Sequence, residues 1–463
     1  MSGIVRLDRR AFMRNAGATA IAGAAGLAGG LAGGASPAAA QSAAGSAGSA
    51  GSSSIPRLSD GRYDFDTPYN RVGTDCSRWD SPALRYPEGV FQYGMGVASM
   101  DFECAPCITE ALHERIRHHN WGYLSTTEPL REGILKWNGE RHGLDLDPAS
   151  IVISDGVYPG VIAALRTFVP IGNKVLLTTP AYSGFYGMAR GARVDTVDSP
   201  MLYRNGRYEI DWDDLESKMT ADVRAMIVCN PQNPTGNVWT EDELLRIGRL
   251  ALEHKVVVLA DEIHSDVIRA GHRYTPFASL PDEAVVNNSV TFNAVSKTFN
   301  LAAMKNAYYY SKSPTLLARV NQFHRAELST LGVVANTAAY RDGAEWFDQA
   351  NAYMDDNHTF VETFVKQHMP DVGYTRNEGT FMTFLDFSKV MERIGAAEKA
   401  AEQGDDTAEE YFRDWLTHQS GVYLNPGSIY GSGGEGHMRM NVASSRRVLR
   451  EACEAMAAAV RSV

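Results

Sequence analysis

The sequence predicts an α/β fold, a mostly parallel sheet covered by helices with a smaller α+β part beyond it. Two observations carry this. From Arg131 onward, helical stretches alternate with apolar runs at Ile151–Ser154, Lys174–Thr178, Ala225–Cys229, Val256–Ala260 and Val290–Asn293, the pattern of parallel strands buried on both faces. Three of these runs are also followed directly by polar residues: Asn230-Pro231-Gln232-Asn233-Pro234-Thr235-Gly236, Asp261-Glu262-Ile263-His264 and Val295-Ser296-Lys297-Thr298. In open α/β sheets, ligands bind outside such strand ends.

The 463-residue chain is 44% hydrophobic and 21% charged, with a net charge of −11, as expected of a soluble globular protein. Its first residues differ from the rest. Arg9-Arg10-Ala11-Phe12 is followed by an Ala/Gly/Leu run from about Ala16 to Ala35 and then Ala38-Ala39-Ala40. Paired arginines, a mildly apolar region and a small-x-small site match a twin-arginine export signal over residues 1–40. So many glycines and alanines would make a poor membrane anchor. Residues 41–56 are Gly/Ala/Ser-rich and read as a flexible linker. Export by this route places the protein in the periplasm or outside the cell, already folded. Loss of residues 1–40 removes four arginines and one aspartate and leaves a charge of −14. Such a surface argues against nucleic acid and anionic membranes as partners.

An irregular arm over 57–100 leads to Pro106, which opens a helix through about His118, with Ile108, Leu112 and Ile116 at helical spacing. Cys104 and Cys107 flank that helix start. They read as packed side chains, with a local disulfide left open, and five scattered cysteines make no disulfide scaffold. Residues 101–330 hold the alternating pattern. Near Thr330 it gives way to long helical stretches, a strand over Gly379–Phe387 and a helical insertion at Ala396–Glu410. Residues 331–463 therefore read as the C-terminal part of a smaller domain, which the arm joins.

Lys297 follows a buried strand among small polar residues, where its amine can form an imine with an aldehyde cofactor and then serve as a base. Asp261 supplies a buried carboxylate that would keep a pyridine nitrogen protonated. Tyr182 presents an aromatic plane. A phosphate would suit the helix start at Gly156-Val157, directly after Ile151–Ser154, and Ser296 adds a hydroxyl. Together these residues point to pyridoxal 5'-phosphate. No metal site is expected.

The Asn-Pro-x-Asn-Pro-Thr-Gly stretch and Ser296-Lys297 resemble the class I/II aminotransferase family of fold-type-I pyridoxal-phosphate enzymes, from about Arg71 to Val463. Asp-Glu-Ile-His and Thr179-Pro180-Ala181-Tyr182 resemble its C–S β-lyase branch, the cystathionine β-lyase and cystalysin type. The resemblance implies a large three-layer α/β/α domain, a smaller α+β domain, and a homodimer with active sites at its interface. It also implies roles. Asn233 would bond the cofactor's 3-hydroxyl, with His264 near the same oxygen. Tyr123 would reach the phosphate of the neighbouring subunit, and Arg439 would grip the carboxylate of an amino acid substrate.

Three positions depart from the family pattern. Ser99 stands in Val97-Ala98-Ser99-Met100-Asp101-Phe102 where the lyase branch has aspartate. Ala294 replaces a phosphate-binding serine. Lys305 stands where transaminases place an arginine, and is expected to supply positive charge at the phosphate. The expected activity is C–S β-elimination from an L-amino acid such as a cysteine S-conjugate or cystathionine. Transamination, or another pyridoxal-phosphate reaction tailoring a periplasmic metabolite, is the alternative, and a non-catalytic binding protein a minor one.

Overall fold

The computed structural model describes residues 56–124 and 127–463. The expected export signal, and all of the expected linker except Pro56, lie outside them. The described residues belong to one compact unit.

Pro106 opens α1 (Pro106–Ile116) at N1, where a missing N–H costs a helix nothing. Cys104 and Cys107 beside it are free thiols. Helix α2 (Glu128–His142) ends on Gly143 in the left-handed conformation. The alternating segment follows: β1 (Ile151–Ser154), α3 (Val157–Phe168), β2 (Lys174–Thr179), α4 (Gly184–Ala192), β3 (Asp195–Pro200), β4 (Val223–Cys229), α5 (Glu241–Glu253), β5 (Val257–Asp261), β6 (Ser289–Asn293) and β7 (Ala307–Tyr310). Helix α5 starts on a complete capping box between Thr240 and Glu243.

These strands form a seven-stranded sheet in the order β1-β7-β6-β5-β4-β2-β3. Only β7 runs antiparallel to its neighbours. Alternate side chains enter two cores, one on each face. Val175, Leu177, Leu259, Phe292 and Tyr309 pack with α3 and α4. Leu176, Met226, Val258, Ala260 and Tyr308 face the side of Trp137 and Trp346.

Two strands were not legible as apolar runs. Strand β3 is a polar edge strand ending in proline. Strand β7 follows the lysine loop and is mostly tyrosine. Two of its hydroxyls find side-chain partners, Tyr308 with Asn138 at 2.8 Å and Tyr309 with Asn321 at 2.6 Å.

The chain continues through α6 (Pro314–Asn321), α7 (Thr330–Asp342) and α8 (Ala344–His368) into a four-stranded antiparallel sheet. That sheet contains β8 (Gly373–Tyr374), β9 (Met382–Asp386), β10 (Asn425–Pro426) and β11 (His437–Asn441) in the order β8-β9-β11-β10. The strand expected over Gly379–Phe387 is shorter because Thr380 has a positive φ of 69°. The helical stretch expected over Ala396–Glu410 is two helices, Ala396–Gln403 and Ala408–Ser420, broken at left-handed Gly404. Helix α9 (Arg446–Arg461) is the last element described.

The N-terminal arm joins this second region: Tyr93–Gly94 pairs in parallel with Val422–Tyr423. Its anchor is the fully buried Arg78. The guanidinium donates to the carbonyls of Gly94, Ser99 and Ala443 and pairs with Asp101 at 3.2 Å. Asp101 also receives Arg71 at 3.1 Å and the Trp79 indole at 3.0 Å. Removing the carboxylate would leave a buried cation without its counter-charge, which costs roughly 3–5 kcal/mol. Asp101→Ala is therefore expected to lower the free energy of unfolding by that margin, read as a fall in the urea midpoint. An unchanged midpoint would show that the carbonyls alone hold Arg78.

Candidate active site

The register Cys229↔Asp261↔Phe292 brings the ends of β4, β5 and β6 level, so the segments that follow them meet at one edge of the sheet. Residues 295–301 fold back in turns, with Phe299 N bonded to Val295 O at 2.9 Å and Leu301 N to Ser296 O at 3.1 Å. Flanking side chains fix this loop. The Thr298 hydroxyl donates to the buried Asp266 at 2.6 Å, and Trp137 and His142 meet the same carboxylate at 3.0 Å. Asn300 pairs with both the N–H and the carbonyl of Met100, each at 3.0 Å.

Lys297 thus reaches into the interior, where its Nζ donates to Ala98 O at 3.0 Å. Burial pulls its pKa down to about 8, with Arg439 lowering it further and Asp261 opposing. Asp261 is buried and accepts one bond, from Ile263 N at 3.2 Å. Burial lifts it to about 6 against that bond and the pull of Lys297. Burial also pushes the His264 imidazole well below its ordinary range, as do Lys297 and Arg439. His264 meets Phe381 edge-on at 5.8 Å, and its Nδ1 has no hydrogen-bond partner.

Arg439, on β11, crosses from the second sheet. Its two terminal nitrogens donate to Asn233 Oδ1 at 3.0 Å and Gly96 O at 2.7 Å, while its buried Nε has no partner. A guanidinium can only donate, so it fixes the Asn233 amide with Oδ1 toward Arg439 and Nδ2 left to serve an acceptor. The turn holding Asn233 is pinned by Gln232, whose amide donates to Pro180 O at 2.9 Å, and it ends at Gly236 with φ +78°. Tyr182 lies within electrostatic reach of both Arg439 and Asp261. Its ring rests edge-on against Phe185 at 5.4 Å, and Gly184 leaves room for it, since a Cβ there would run into the ring.

Strand β7 begins where β1 ends, with Ala307 opposite Ser154. Gly156 caps α3 and Val157 is its first residue. The Ser154 hydroxyl takes up both the N–H and the carbonyl of Gly156, at 3.3 and 2.8 Å. The N–H groups of Val157 and Tyr158 are the helix donors without intrahelical partners, since Pro159 has no N–H and Gly160 N–H bonds Gly156 O at 3.3 Å. Ser296 is half-buried in the lysine loop, whereas Lys305 is exposed in a left-handed conformation. Its neighbour Asn306 is buried with an unpartnered Nδ2. Tyr123 is fully exposed. The fold therefore gathers Lys297, Asp261, His264, Asn233, Arg439 and Tyr182, and leaves Tyr123 and Lys305 facing outward.

Sequence reasoning missed Asp266, Asn300, Asn306 and Asn441. Asn441 donates to Val97 O at 2.6 Å and Ser99 O at 2.7 Å. Asn300 lies three residues after Lys297 and Asn441 two after Arg439, but their partners are 200 and 344 positions away. Nothing local marked them.

These residues fit pyridoxal phosphate. Lys297 offers an amine of lowered pKa for the aldehyde, Asp261 a buried carboxylate for the ring nitrogen and Asn233 an amide donor for the phenolic oxygen. Tyr182 offers an aromatic plane, and the start of α3 offers the N–H groups of Val157 and Tyr158. The orphaned Arg439 Nε offers a donor for a carboxylate. Among the described residues, no group of three side chains is arranged to hold a metal ion.

The aminotransferase class I and II family model matches residues 92–456. The chain is 34% identical over 402 residues to cystathionine beta-lyase PatB of Bacillus subtilis, covering 86% of this chain and 99% of that one. It is 28% identical to protein MalY of Escherichia coli, covering 87% and 100%. Cystalysin from Treponema denticola, whose crystal structure contains pyridoxal 5'-phosphate, superposes with a TM-score of 0.78 at 29% identity, covering 86% and 99%.

Lys297 attacks an aldehyde only as the neutral amine. Because its pKa is lowered, the neutral fraction grows as pH rises through about 8, not through the ordinary lysine range near ~10.4. The capture rate of pyridoxal phosphate by cofactor-free protein is expected to rise about tenfold per pH unit below 8 and level off above it. Stopped-flow absorbance across pH 6–10 (about the span of the titration) checks this. A rate still climbing at the top of that range would contradict the lowered pKa.

Proposed function

Because the chain belongs to the aminotransferase class I and II family, of pyridoxal-phosphate enzymes of fold type I, we propose that it is a C–S β-lyase. In this reading it converts an L-amino acid with sulfur on Cβ, such as cystathionine or a cysteine S-conjugate, to pyruvate, ammonia and a thiol. The observation that carries the reading is the near-full-length match to a protein named cystathionine beta-lyase.

Bound pyridoxal phosphate supplies a ring that accepts the electron pair left when the Cα–H bond breaks. The chain's own residues do the rest. Arg439 holds the substrate carboxylate with its forked donors. Lys297, whose pKa of about 8 lies close to working pH, takes the Cα proton. Asp261 becomes the counter-charge of the protonated ring nitrogen, which relieves the burial that otherwise lifts its pKa. Asn233 and the neutral His264 orient the phenolic oxygen, and Tyr182 backs the ring.

The active unit is proposed to be a homodimer. Trp121, Tyr123 and Leu124 are exposed apolar residues on one loop, a surface suited to a second copy, with Tyr123 reaching the partner's phosphate. The twin-arginine pattern at Arg9-Arg10 supports export to the periplasm. No helix among the described residues is long and apolar enough to cross a membrane.

Purified protein given L-cystathionine and no keto acid is expected to release pyruvate continuously. Turnover that stops after one equivalent and resumes on adding a keto acid would instead identify a transaminase. Lys297→Ala should lower the rate at least ~10³-fold, and sedimentation of the active species as a monomer would remove the dimer from the reading. Replacing Arg9 and Arg10 by lysine is expected to hold a reporter fused to residues 1–40 in the cytoplasm. Unimpaired export of that variant would contradict the twin-arginine route.

A further inference from the structure

His324 lies between α6 and α7, 170 positions from Ser154, with its side chain buried. Its Nε2 is 2.9 Å from Ser154 Oγ and 3.8 Å from Asp155 Oδ1. Its ring meets Tyr309 edge-on at 5.2 Å.

The direction of the hydrogen bond follows from counting. A serine hydroxyl donates once and accepts twice. Gly156 O can only accept, so it takes the hydroxyl proton at 2.8 Å, and Gly156 N–H donates back at 3.3 Å. The remaining lone pair must accept from His324, which requires the proton on Nε2. The hydroxyl's three positions are then filled and it cannot rotate. A trans peptide points its C=O and N–H in opposite directions. By holding Gly156 O, Ser154 therefore aims the Val157 N–H away from itself, out of the start of α3.

We propose that His324 is a positioning residue for the phosphate end of the cofactor. Its Nε2–H locks Ser154, and Ser154 locks the Gly156–Val157 peptide whose N–H would meet a phosphate oxygen. Asp155, one residue ahead of the cap, keeps its Oδ1 buried without a hydrogen-bond partner, 3.8 Å from His324 Nε2. This rests on the pyridoxal-phosphate reading of the site and adds a residue that no local motif marks.

The test is equilibrium binding of pyridoxal phosphate and of pyridoxal, which lacks the phosphate, to cofactor-free full-length protein, followed by absorbance and tyrosine–tryptophan fluorescence. His324→Phe keeps the ring against Tyr309 but loses the donor. It is expected to weaken pyridoxal phosphate binding roughly five- to tenfold while leaving pyridoxal binding unchanged. His324→Gln, which restores an N–H at the Nε2 position, should return affinity to within about twofold of wild type. Ser154→Ala should match His324→Phe, and the double variant should be no worse than either single one. Should His324→Phe not fold, as judged by circular dichroism, the Ser154→Ala and His324→Gln pair decides the matter.

Equal affinity of wild type and His324→Phe for pyridoxal phosphate would overturn the relay and leave the cofactor reading intact. So would an equal loss for both ligands. Wild-type protein that binds pyridoxal phosphate no more tightly than pyridoxal would overturn the reading of the α3 start as a phosphate site, and the relay with it.

Discussion

The site is organised around an excess of buried positive charge. Lys297 and Arg439 are brought together in the interior, with one carboxylate, Asp261, close enough to act on Lys297. Uncompensated ions are not stable in such a place unless something accepts their hydrogen bonds. Here the acceptor is the backbone of residues 96–100, the entrance segment. Gly96 O takes Arg439, Ala98 O takes Lys297, Ser99 O takes Arg78 and Asn441, and Met100 O takes Arg71 and Asn300. One short, bent stretch of chain thereby ties the lysine loop, strand β11 and the N-terminal arm together. A ligand carrying a phosphate and a carboxylate is electrostatically suited to such a cavity.

The same burial separates the acid–base roles. It lowers the amine of Lys297 and the imidazole of His264 and raises the carboxyl of Asp261. Each shift favours the neutral form, as desolvation must. Two of them suit the chemistry directly. A lysine near pH 8 is an effective base, and a neutral His264 can orient an oxygen without adding to the positive charge. Asp261 differs, since its carboxylate is favoured only when a cation stands opposite it, and a protonated ring nitrogen supplies one.

Much of this was legible from the chain alone. Lys297, Asp261 and Asn233 could be picked out because each follows an apolar strand, and a parallel sheet brings successive strand ends to one edge. Tyr182 and the α3 start follow the same logic. The edge strand β3 and the tyrosine-rich β7 were not visible, because neither is an apolar run. Lys305 shows the limit of counting from a motif, since a residue placed by its distance from Lys297 faces outward while the adjoining Asn306 is buried.

The sequence by itself determined the sheet, the identity of the reactive groups and the class of cofactor, because strand-end position and residue chemistry are local properties. Only the tertiary structure decided which groups hold those residues in place. Asp266 behind Thr298, Arg439 on Asn233, Asn441 and Arg78 on the entrance segment, and His324 on Ser154 are contacts across tens to hundreds of positions. Hydrogen bonds of that kind depend on how layers pack and leave no periodicity in the chain.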